Sequence, residues 1–343
     1  MLRPAHRVVI GDHVVDTTSE PKASTAVEIV VRLDLDAPVD GFTLVQGQVG
    51  GLRAAPGDDA SIDLGYADDD AGLVRVITGT VVDVEPGLES KRISALSRGH
   101  ALLRTFVDRT FEDTTAGDIV RDLAGRAGVD IERAEAGLQF PAYVVDGRRD
   151  AVRHIRDLGY LCGFDSYLTP EGKLVFEPLT GNRTVHVLTY GEHVLSAGLV
   201  RTQPRAGTVQ TWGESAGSGG DESWAWLTKD FSALRGSAGS GVPTLLVESG
   251  ALRSAKAAAS AATAIADAFT ANAVRGSVRI QGRPQVTLGD LVRLEKFPDR
   301  AGVDELDGTY QVRAVRHRLD KTGGFTTDVD FRSLTGATAG SIP

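Results

Sequence analysis

The feature that most constrains the fold is a series of turn and strand signals that occurs twice, once near each end of the chain. In the first copy, Pro56-Gly57-Asp58 precedes a β-like run and Gly79-Thr80 begins the next one. In the second copy, Leu288-Gly289-Asp290 and Gly308-Thr309 occur in the same order. Chance is an alternative explanation, because Gly-Asp and Gly-Thr are common hairpin residues. The shared order predicts two copies of one β-barrel plan.

Short β-like runs separated by turn signals fill the chain from Val8 to about Ser97. Glycine preceded by aspartate or proline marks the turns, as at Asp40-Gly41 and Pro86-Gly87. The predicted strands are Val27–Leu35, Leu44–Val49, Ser61–Tyr66, Leu73–Val84 and Lys91–Leu96. This pattern predicts a small antiparallel barrel or sandwich.

The middle of the chain changes to a helical period. Thr115 and Asp118 can form a capping box for a helix that ends at Gly128, with an apolar face of Ile119, Val120, Leu123 and Ala127. A second short helix is predicted to stop at Gly159, with Val152, Ile155 and Leu158 on one side. The segment Thr169–Gly172 then favours a type I turn and a hairpin. These signals predict an α+β insert.

Two Gly/Ser-rich stretches and an alanine-rich helix follow the insert. Gly213–Asp221 and Gly236–Gly241 are predicted to be exposed or mobile loops that add little to the core. The helix is predicted over Ala251–Asn272, with one face formed by Leu252, Ala255, Ala259, Ala262, Ala266 and Phe269. Its small side chains would let another backbone approach closely.

Composition and pattern together predict an α+β, mostly β fold with two similar antiparallel β-barrel domains and an α+β insert. The chain of 343 residues is 41% hydrophobic and contains 40 glycines, as expected for many short strands joined by tight turns. The predicted divisions are a first barrel at 1–105, the insert at 106–181, a second barrel at 182–335 and a flexible tail at 336–343. The second barrel includes the Gly/Ser-rich region and the alanine-rich helix.

Charge and cysteine content narrow the possible partners. The formal net charge of −9 argues against direct nucleic-acid binding, because phosphate-backbone binders need a cationic face. Cys162 is the single cysteine and cannot form an internal disulfide. Met1–Asp16 lacks an apolar signal-peptide core, which predicts cytoplasmic synthesis. Charged residues interrupt Ala251–Ala273, so a soluble helix is predicted there and not a membrane span.

One pentapeptide resembles an esterase nucleophile elbow, Gly213-Glu214-Ser215-Ala216-Gly217. Such an elbow needs a strand before the serine and an apolar helix after it, so that backbone donors can face the reacting oxygen. Here Ser218-Gly219-Gly220-Asp221 follows, and His317 is the only later histidine. The context favours a loop, and a serine hydrolase using Ser215 is the minor alternative.

Metal and nucleotide motifs give no stronger candidate. Asp34, Asp36, Asp40 and Gly41 lack the glycine and glutamate positions of an EF-hand and favour a hairpin turn. Asp68-Asp69-Asp70 favours a solvated acidic loop over a weak cation site. The seven histidines form no close ligand pair, and no phosphate-binding glycine motif is present. We therefore predict no catalytic residue, no cofactor and no metal.

The last β region carries a resemblance to a known family. The segments Gly282–Val292, Leu306–Val312, Val315–Leu319 and Gly323–Thr327, preceded by the alanine-rich helix, resemble the phage late-control protein D family. That family includes contractile-tail baseplate hubs and the first part of VgrG spike proteins. Its pattern matches here at Gly289, Asp290, Gly308, Tyr310, Val315, His317 and Gly324. The second helix of the insert departs from the family pattern at Asp150–Ile155.

The resemblance implies a structural role. Three chains would present six barrels in a pseudo-hexameric ring that adapts a hexameric tail tube to a trimeric spike. The implied partners are the chain itself, the tube, a separate spike protein and other baseplate proteins, assembled in a phage tail or contractile injection particle. A tail-tip protein of a non-contractile phage is the alternative structural role.

Overall fold

The computed structural model describes residues 3–22, 24–49, 51–179, 183–213, 235–298 and 306–334. The strands before and within the insert are β1 Pro4–Ile10, β2 His13–Asp16, β3 Ala26–Asp34, β4 Gly41–Gly47, β5 Asp59–Tyr66, β6 Leu73–Pro86, β7 Ser90–Ser97, β8 Arg109–Thr115, β9 Ile131–Ala134, β10 Gln139–Val145, β11 Phe164–Leu168 and β12 Leu174–Pro178. The later strands are β13 Val185–Thr189, β14 Val194–Arg201, β15 Thr208–Trp212, β16 Arg235–Gly239, β17 Thr244–Glu248, β18 Val274–Gln281, β19 Leu291–Glu295, β20 Gly308–Asp320 and β21 Gly324–Ser333. The helices are α1 His100–Leu103, α2 Ala116–Ala127, α3 Ala151–Cys162 and α4 Ala255–Asn272.

The two β-barrel halves predicted from the sequence belong to one 13-stranded sheet. The first half has the strand order β3, β4, β7, β6, β5, β1, β2, and the second has β14, β18, β21, β20, β19, β13. Pairing is antiparallel except between β13 and β19, which are parallel. The parallel pairing of β13 with β19 departs from the predicted antiparallel barrel. The difference lies in chain connectivity, because β13 follows the insert whereas its counterpart β1 is the first strand of the chain.

Five strands of each half repeat in the same order and with the same pairing. Strands β3, β4, β5, β6 and β7 correspond to β14, β18, β19, β20 and β21 in both order and pairing. The Val81 N–H donates to the Asp58 carbonyl at 2.8 Å, and the Val312 N–H donates to the Asp290 carbonyl at 3.1 Å. A bulge follows each valine at the same place in the ladder, at Val82 and at Arg313. Equal registers and bulges make the repeat a property of the backbone, beyond shared turn residues.

The structure corrects one part of the sequence alignment. Gly79-Thr80 lies opposite the start of β5, whereas Gly308-Thr309 lies opposite the end of β19. When the two copies are aligned by their strand register, Thr80 corresponds to Gln311. The two Gly-Thr pairs are therefore not equivalent positions. The equivalence of the copies rests on the Gly-Asp turns and on the bulges.

The insert packs two helices against short strands. As predicted, α2 begins after Thr115, whose side chain accepts from the Asp118 N–H at 3.2 Å, and ends at Gly128 in a left-handed conformation. The predicted hairpin at Thr169–Gly172 joins β11 to β12. Ile119, Leu123 and Phe176 lie fully buried between these elements. The insert has its own hydrophobic cluster, which also includes Leu252 and the first turns of α4.

The second helix is longer than the sequence predicts. It continues through Gly159 to Cys162, and Gly163 caps it at φ 71°. Gly159 is buried, and a Cβ there would lie 2.8 Å from the carbonyl oxygen of Phe164. Glycine at 159 therefore permits close packing inside the helix, whereas Gly163 supplies the left-handed turn that ends it.

The alanine-rich helix begins at Ala255, after the N-cap Ser254. Ala255 and Ala259, two members of the predicted face, are exposed, and the buried face consists of Ala257, Ala258, Ala261, Ala262 and Ile265. Gly236 and its neighbours form β16, paired with β15, and Gly236 is buried against the Ala258 backbone. The prediction of a loop that adds little to the core is therefore wrong at 236–239, because glycine there gives the strand its close approach to α4. Of the other Gly/Ser-rich stretch, only Gly213 is among the described residues.

A direct strand pair joins the two halves of the large sheet. The first part of β20 pairs with β19, and its second part, Ala314–Asp320, pairs with Asp34–Glu28 of β3. Val31, Leu33 and Val315 are buried along this junction. The apolar interiors of both halves form one hydrophobic cluster. The domain boundaries at 105, 181 and 335 stay a prediction.

Candidate functional site

The candidate catalytic residues of the sequence form no site within the part of the chain that the structure describes. Ser215 and the rest of its pentapeptide after Gly213 lie outside the described residues. His317 lies in β20 and is fully buried, with Nδ1 3.0 Å from the Thr327 hydroxyl. Burial lowers the His317 pKa to about 4. This histidine is part of the barrel interior.

The aspartates near the end of β3 hold a hairpin turn, as predicted. The Asp40 carboxylate accepts from the Asp34 N–H at 2.8 Å, and the Asp34 carboxylate accepts from the Asp36 N–H at 2.8 Å. Asp40 is only 7% exposed, and burial raises its pKa to about 7. Asp69, in the acidic loop after β5, accepts from the Ala71 N–H at 3.2 Å. The described residues include no group of three or more His, Cys, Asp or Glu side chains able to hold a metal ion.

The buried Asp40 carboxyl predicts a pH-dependent gain in stability for Asp40→Asn. The folded-state pKa, about 7, lies above the unfolded value of about 3.9, so the wild type loses stability as pH rises through this interval. Asparagine keeps an oxygen for the Asp34 N–H but does not ionise. The variant's advantage in urea unfolding should therefore grow by about 2 kcal/mol from about pH 5 to about pH 7. Asp59→Asn, at an exposed position of β5, is the control; an equal pH trend in both variants would contradict the assignment.

The family-matching positions of the sequence lie at turns and in the interior of the second barrel. Gly289 has φ +86°, and an added Cβ there would overlap the Tyr167 hydroxyl. The Asp290 carboxylate lies 2.8 Å from Nε2 of His186 and accepts from the Thr287 N–H at 3.2 Å. These contacts join the turn to β13 and to the insert.

The remaining matching positions shape the barrel itself. Tyr310, 6% exposed, packs against Phe331 in a tilted arrangement with ring centroids 4.5 Å apart. Val315 is buried at the junction with β3, and Gly308 begins β20. Gly324 has φ +74° in the turn between β20 and β21. The structural role that the sequence assigns to these positions stays a prediction.

Sequence reasoning missed a largely buried ionic cluster where three parts of the chain meet. Arg313, the bulged residue of β20, donates to Asp165 of β11 at 2.8 Å and to Asp36 of the β3–β4 turn at 2.6 Å. Gln311 donates to Asp165 at 2.5 Å and accepts from Arg332 at 2.7 Å. We call these five residues the junction cluster. It connects the insert to both halves of the sheet.

Charge compensation keeps the junction cluster ionised. Burial alone would raise the Asp165 pKa, but the cations of Arg313 and Arg332 outweigh this effect and lower it. Burial, followed by repulsion from Arg313, lowers the Arg332 pKa. One sequence signal could have located the bulge: apolar alternation breaks between Val312 and Val315, as it does between Val81 and Val84. No sequence signal pairs Arg313 with Asp165.

The edges of β14 and β6 are among those of the large sheet that carry exposed apolar side chains. β14 pairs with β18 on one side, and no strand of the described residues covers its other side. Leu195 and Val200 on β14 are 62% and 51% exposed. Likewise, no described strand covers the outer side of β6 beyond Val81. Leu88, just after the end of β6, is fully exposed. Open edges of this kind are candidate sites for assembly.

Comparison with known proteins finds similarity in structure. No protein-family model matches the sequence, and no curated protein matches it. A 43 kDa tail protein of prophage MuSo2 from Shewanella oneidensis has a TM-score of 0.71 at 15% identity, over 96% of this chain and 98% of that one. A tail protein from Neisseria meningitidis MC58 has a TM-score of 0.69 at 13% identity, over 98% and 99% of the chains.

A third similar structure comes from a secretion system. An E. coli component of the type VI secretion system, described as similar to the T4 bacteriophage tail proteins gp27 and gp5, has a TM-score of 0.62 at 9% identity, over 97% of this chain and 78% of that one. No helix within the described ranges is long and apolar enough to cross a membrane.

At these identities the similarity to the three solved structures establishes the fold. The chain therefore has the fold shared by these phage tail proteins and the type VI secretion component. The resemblance inferred from its sequence is confirmed at the level of the fold.

Proposed function

We propose that this protein is a structural hub subunit of a phage tail or contractile injection particle. The observation that carries the proposal is the backbone repeat, in which corresponding strands share pairing, register and bulge position. A chain with two equivalent barrels can present six-fold-like contacts from three copies. The proposed role is mechanical, without catalysis, and the similar tail proteins support it.

The hub would resolve a symmetry mismatch between its neighbours. One face of a three-chain, six-barrel ring would stack on a hexameric tail tube, and the other would seat a trimeric spike. The divisions at 105, 181 and 335 would then separate two ring-forming barrels from an insert. The junction cluster would fix the insert to both barrels, so that load passes between them without rotation. Synthesis in the cytoplasm and assembly into the particle complete the proposal.

The test is the mass and symmetry of the assembled protein. The full chain, purified alone and coexpressed with candidate tube and spike proteins from the same genome, is measured by native mass spectrometry and cryo-electron microscopy. We expect a mass of three times 36.2 kDa and a threefold ring of six barrels. The ring should bind the tube on one face and the spike on the other. A chain that stays monomeric in the presence of both partners, or a ring of another symmetry, would overturn the proposal.

A further inference from the structure

A groove of about 520 Å³ crosses the junction between the two halves, on the face of the sheet opposite the apolar interior. Its centre is Ala314 of β20, whose register partners are Asp34 of β3 on one side and Asp330 of β21 on the other. Two residues along the same strands, Arg316 lies opposite Arg32. The groove therefore has a cationic end and an anionic end, about 7 Å apart as two residues along a strand are.

The cationic end has no counter-ion among the residues that the structure describes. Arg32 and Arg316 form no ion pair and no side-chain hydrogen bond with them, and Nε of Arg316 is buried without a partner. The Leu35 N–H donates to the Arg313 carbonyl at 2.9 Å, and counting along the ladder from there makes Arg32 and Arg316 a non-hydrogen-bonded pair. Side chains approach most closely at such pairs, and like charges facing each other there destabilise a sheet. An oxyanion held between the two guanidinium groups would remove this repulsion.

The neighbouring strands offer these two arginines no partner. Asp328 of β21 faces Arg316, but its carboxylate accepts from Arg279 of β18 at 2.5 and 3.0 Å. On the other side of Arg32 lies Gly41 of β4, which has no side chain. The one carboxylate that faces the arginine pair is therefore already bound to another cation.

The anionic end lacks a cation in the same way. The Asp34 carboxylate accepts from the Asp36 N–H at 2.8 Å, and neither Asp34 nor Asp330 forms an ion pair within the described residues. Partial burial, followed by repulsion from Asp34 and Asp328, raises the pKa of Asp330. A basic side chain placed over Ala314, between the two carboxylates, would compensate both of them.

We infer that this groove binds an extended segment of a partner protein that carries an acidic residue and, two positions away, a basic residue. The acidic side chain accepts from Arg32 and Arg316, and the basic side chain donates to Asp34 and Asp330. Side chains two positions apart in an extended chain point to the same side and lie about 7 Å apart, which matches the two ends of the groove. Guanidinium groups bind carboxylates through paired, charge-assisted hydrogen bonds. A nucleic acid fits less well, because its successive phosphates would also meet the two aspartates.

Peptides of defined charge pattern test the inference on the full chain. Fluorescein-labelled, blocked peptides of equal length are built on threonine, which favours an extended backbone. One carries glutamate and, two positions on, arginine; a second carries glutamate directly followed by arginine; a third carries glutamine in place of both. Fluorescence anisotropy measures their affinities. The first peptide should bind about tenfold more tightly than the other two, because only there do both charges face the groove.

Arg316→Gln identifies the cationic end. It should weaken binding of the first peptide about tenfold, and the urea midpoint of the free protein should stay equal or rise, because repulsion from Arg32 is removed. A residue needed only for the fold would lower that midpoint. Arg318→Gln is the matched control, since Arg318 lies on the same strand and face but is already paired with Glu28 at 2.9 Å and Asp320 at 3.1 Å. It should leave peptide binding unchanged.

Four outcomes would overturn the inference: equal affinity for the three peptides, an equal loss in both variants, displacement of the first peptide by a lower concentration of inorganic phosphate or of a single-stranded oligonucleotide, and a change of oligomer mass in Arg316→Gln. The third would assign the groove to phosphate, and the fourth would make it a contact between copies of this chain. The inference is independent of the proposed hub. A threefold ring that binds none of the peptides contradicts the inference and leaves the hub intact, whereas selective binding by a chain that stays monomeric supports the inference and contradicts the hub.

Discussion

Replacing Arg313 by methionine should lower the free energy of unfolding by about 3–5 kcal/mol, the usual result of removing one partner from a buried ion pair. The Arg313 and Asp165 side chains are 13% and 17% exposed, so water cannot replace the lost guanidinium at Asp165. Arg332, with its nearest nitrogen 3.8 Å from Asp165, compensates only in part. Urea unfolding of the purified chain at neutral pH measures the effect.

A second variant and a pH series identify the cause. Adding Asp165→Asn to Arg313→Met removes the uncompensated charge and should recover about half of the loss. Because the folded-state pKa of Asp165 is lowered, its contribution is present above about pH 4 and is lost as pH falls through the folded value. The gap between wild type and Arg313→Met should therefore narrow in acid. Arg148→Met is the control, since that side chain is 89% exposed beside Asp146 and should change little. Equal effects at 313 and 148 would contradict a buried ionic role.

Replacing Gly236 by valine should cost about 3 kcal/mol, the upper end of the range for overpacking a core. A Cβ at this position would overlap the backbone of Ala258 itself, and backbone cannot move aside as a flexible side chain can. β16 would have to separate from α4, opening the face of Ala258, Ala261 and Ile265. The loss is measured by urea unfolding, and faster hydrogen exchange in α4 should accompany it.

The neighbouring residue provides the control for Gly236. Ser237 lies on the same strand but is exposed, and valine favours strands, so Ser237→Val should be neutral or slightly stabilising. Gly236→Ala should fall between wild type and Gly236→Val, because it adds the clashing Cβ without the two further methyl groups. A loss at Ser237 as large as at Gly236 would show that valine is unfavourable anywhere on this strand, and would contradict a specific role for the close packing of Gly236 against α4.

Local signals in the sequence predicted much of the fold. Alternating apolar residues located strands from β3 to β7, and the caps Thr115 and Gly128 fixed both ends of α2. The sequence pattern predicts a helix end at Gly159 and a loop at Gly236, and both predictions are wrong because each glycine permits close packing. Glycine is consistent with either use, and only the backbone lying opposite decides between them. The buried face of α4 was partly wrong because a nearly uniform alanine helix has little amphipathic pattern.

The same contrast between local signals and tertiary contacts applies to the repeated strands and to the open edges of β14 and β6. Turn and strand signals predict two copies of one β plan, because strands and tight turns depend on neighbouring residues. How the copies align, through the bulges at Val82 and Arg313, and how they join, through β3 and β20, depends on contacts made in the folded chain. Backbone N–H and C=O groups are alike in every residue, so pairing between strands distant in the chain leaves little trace in sequence. The junction cluster was decided there too, since Asp165 and Arg313 meet only after the insert has packed against the sheet.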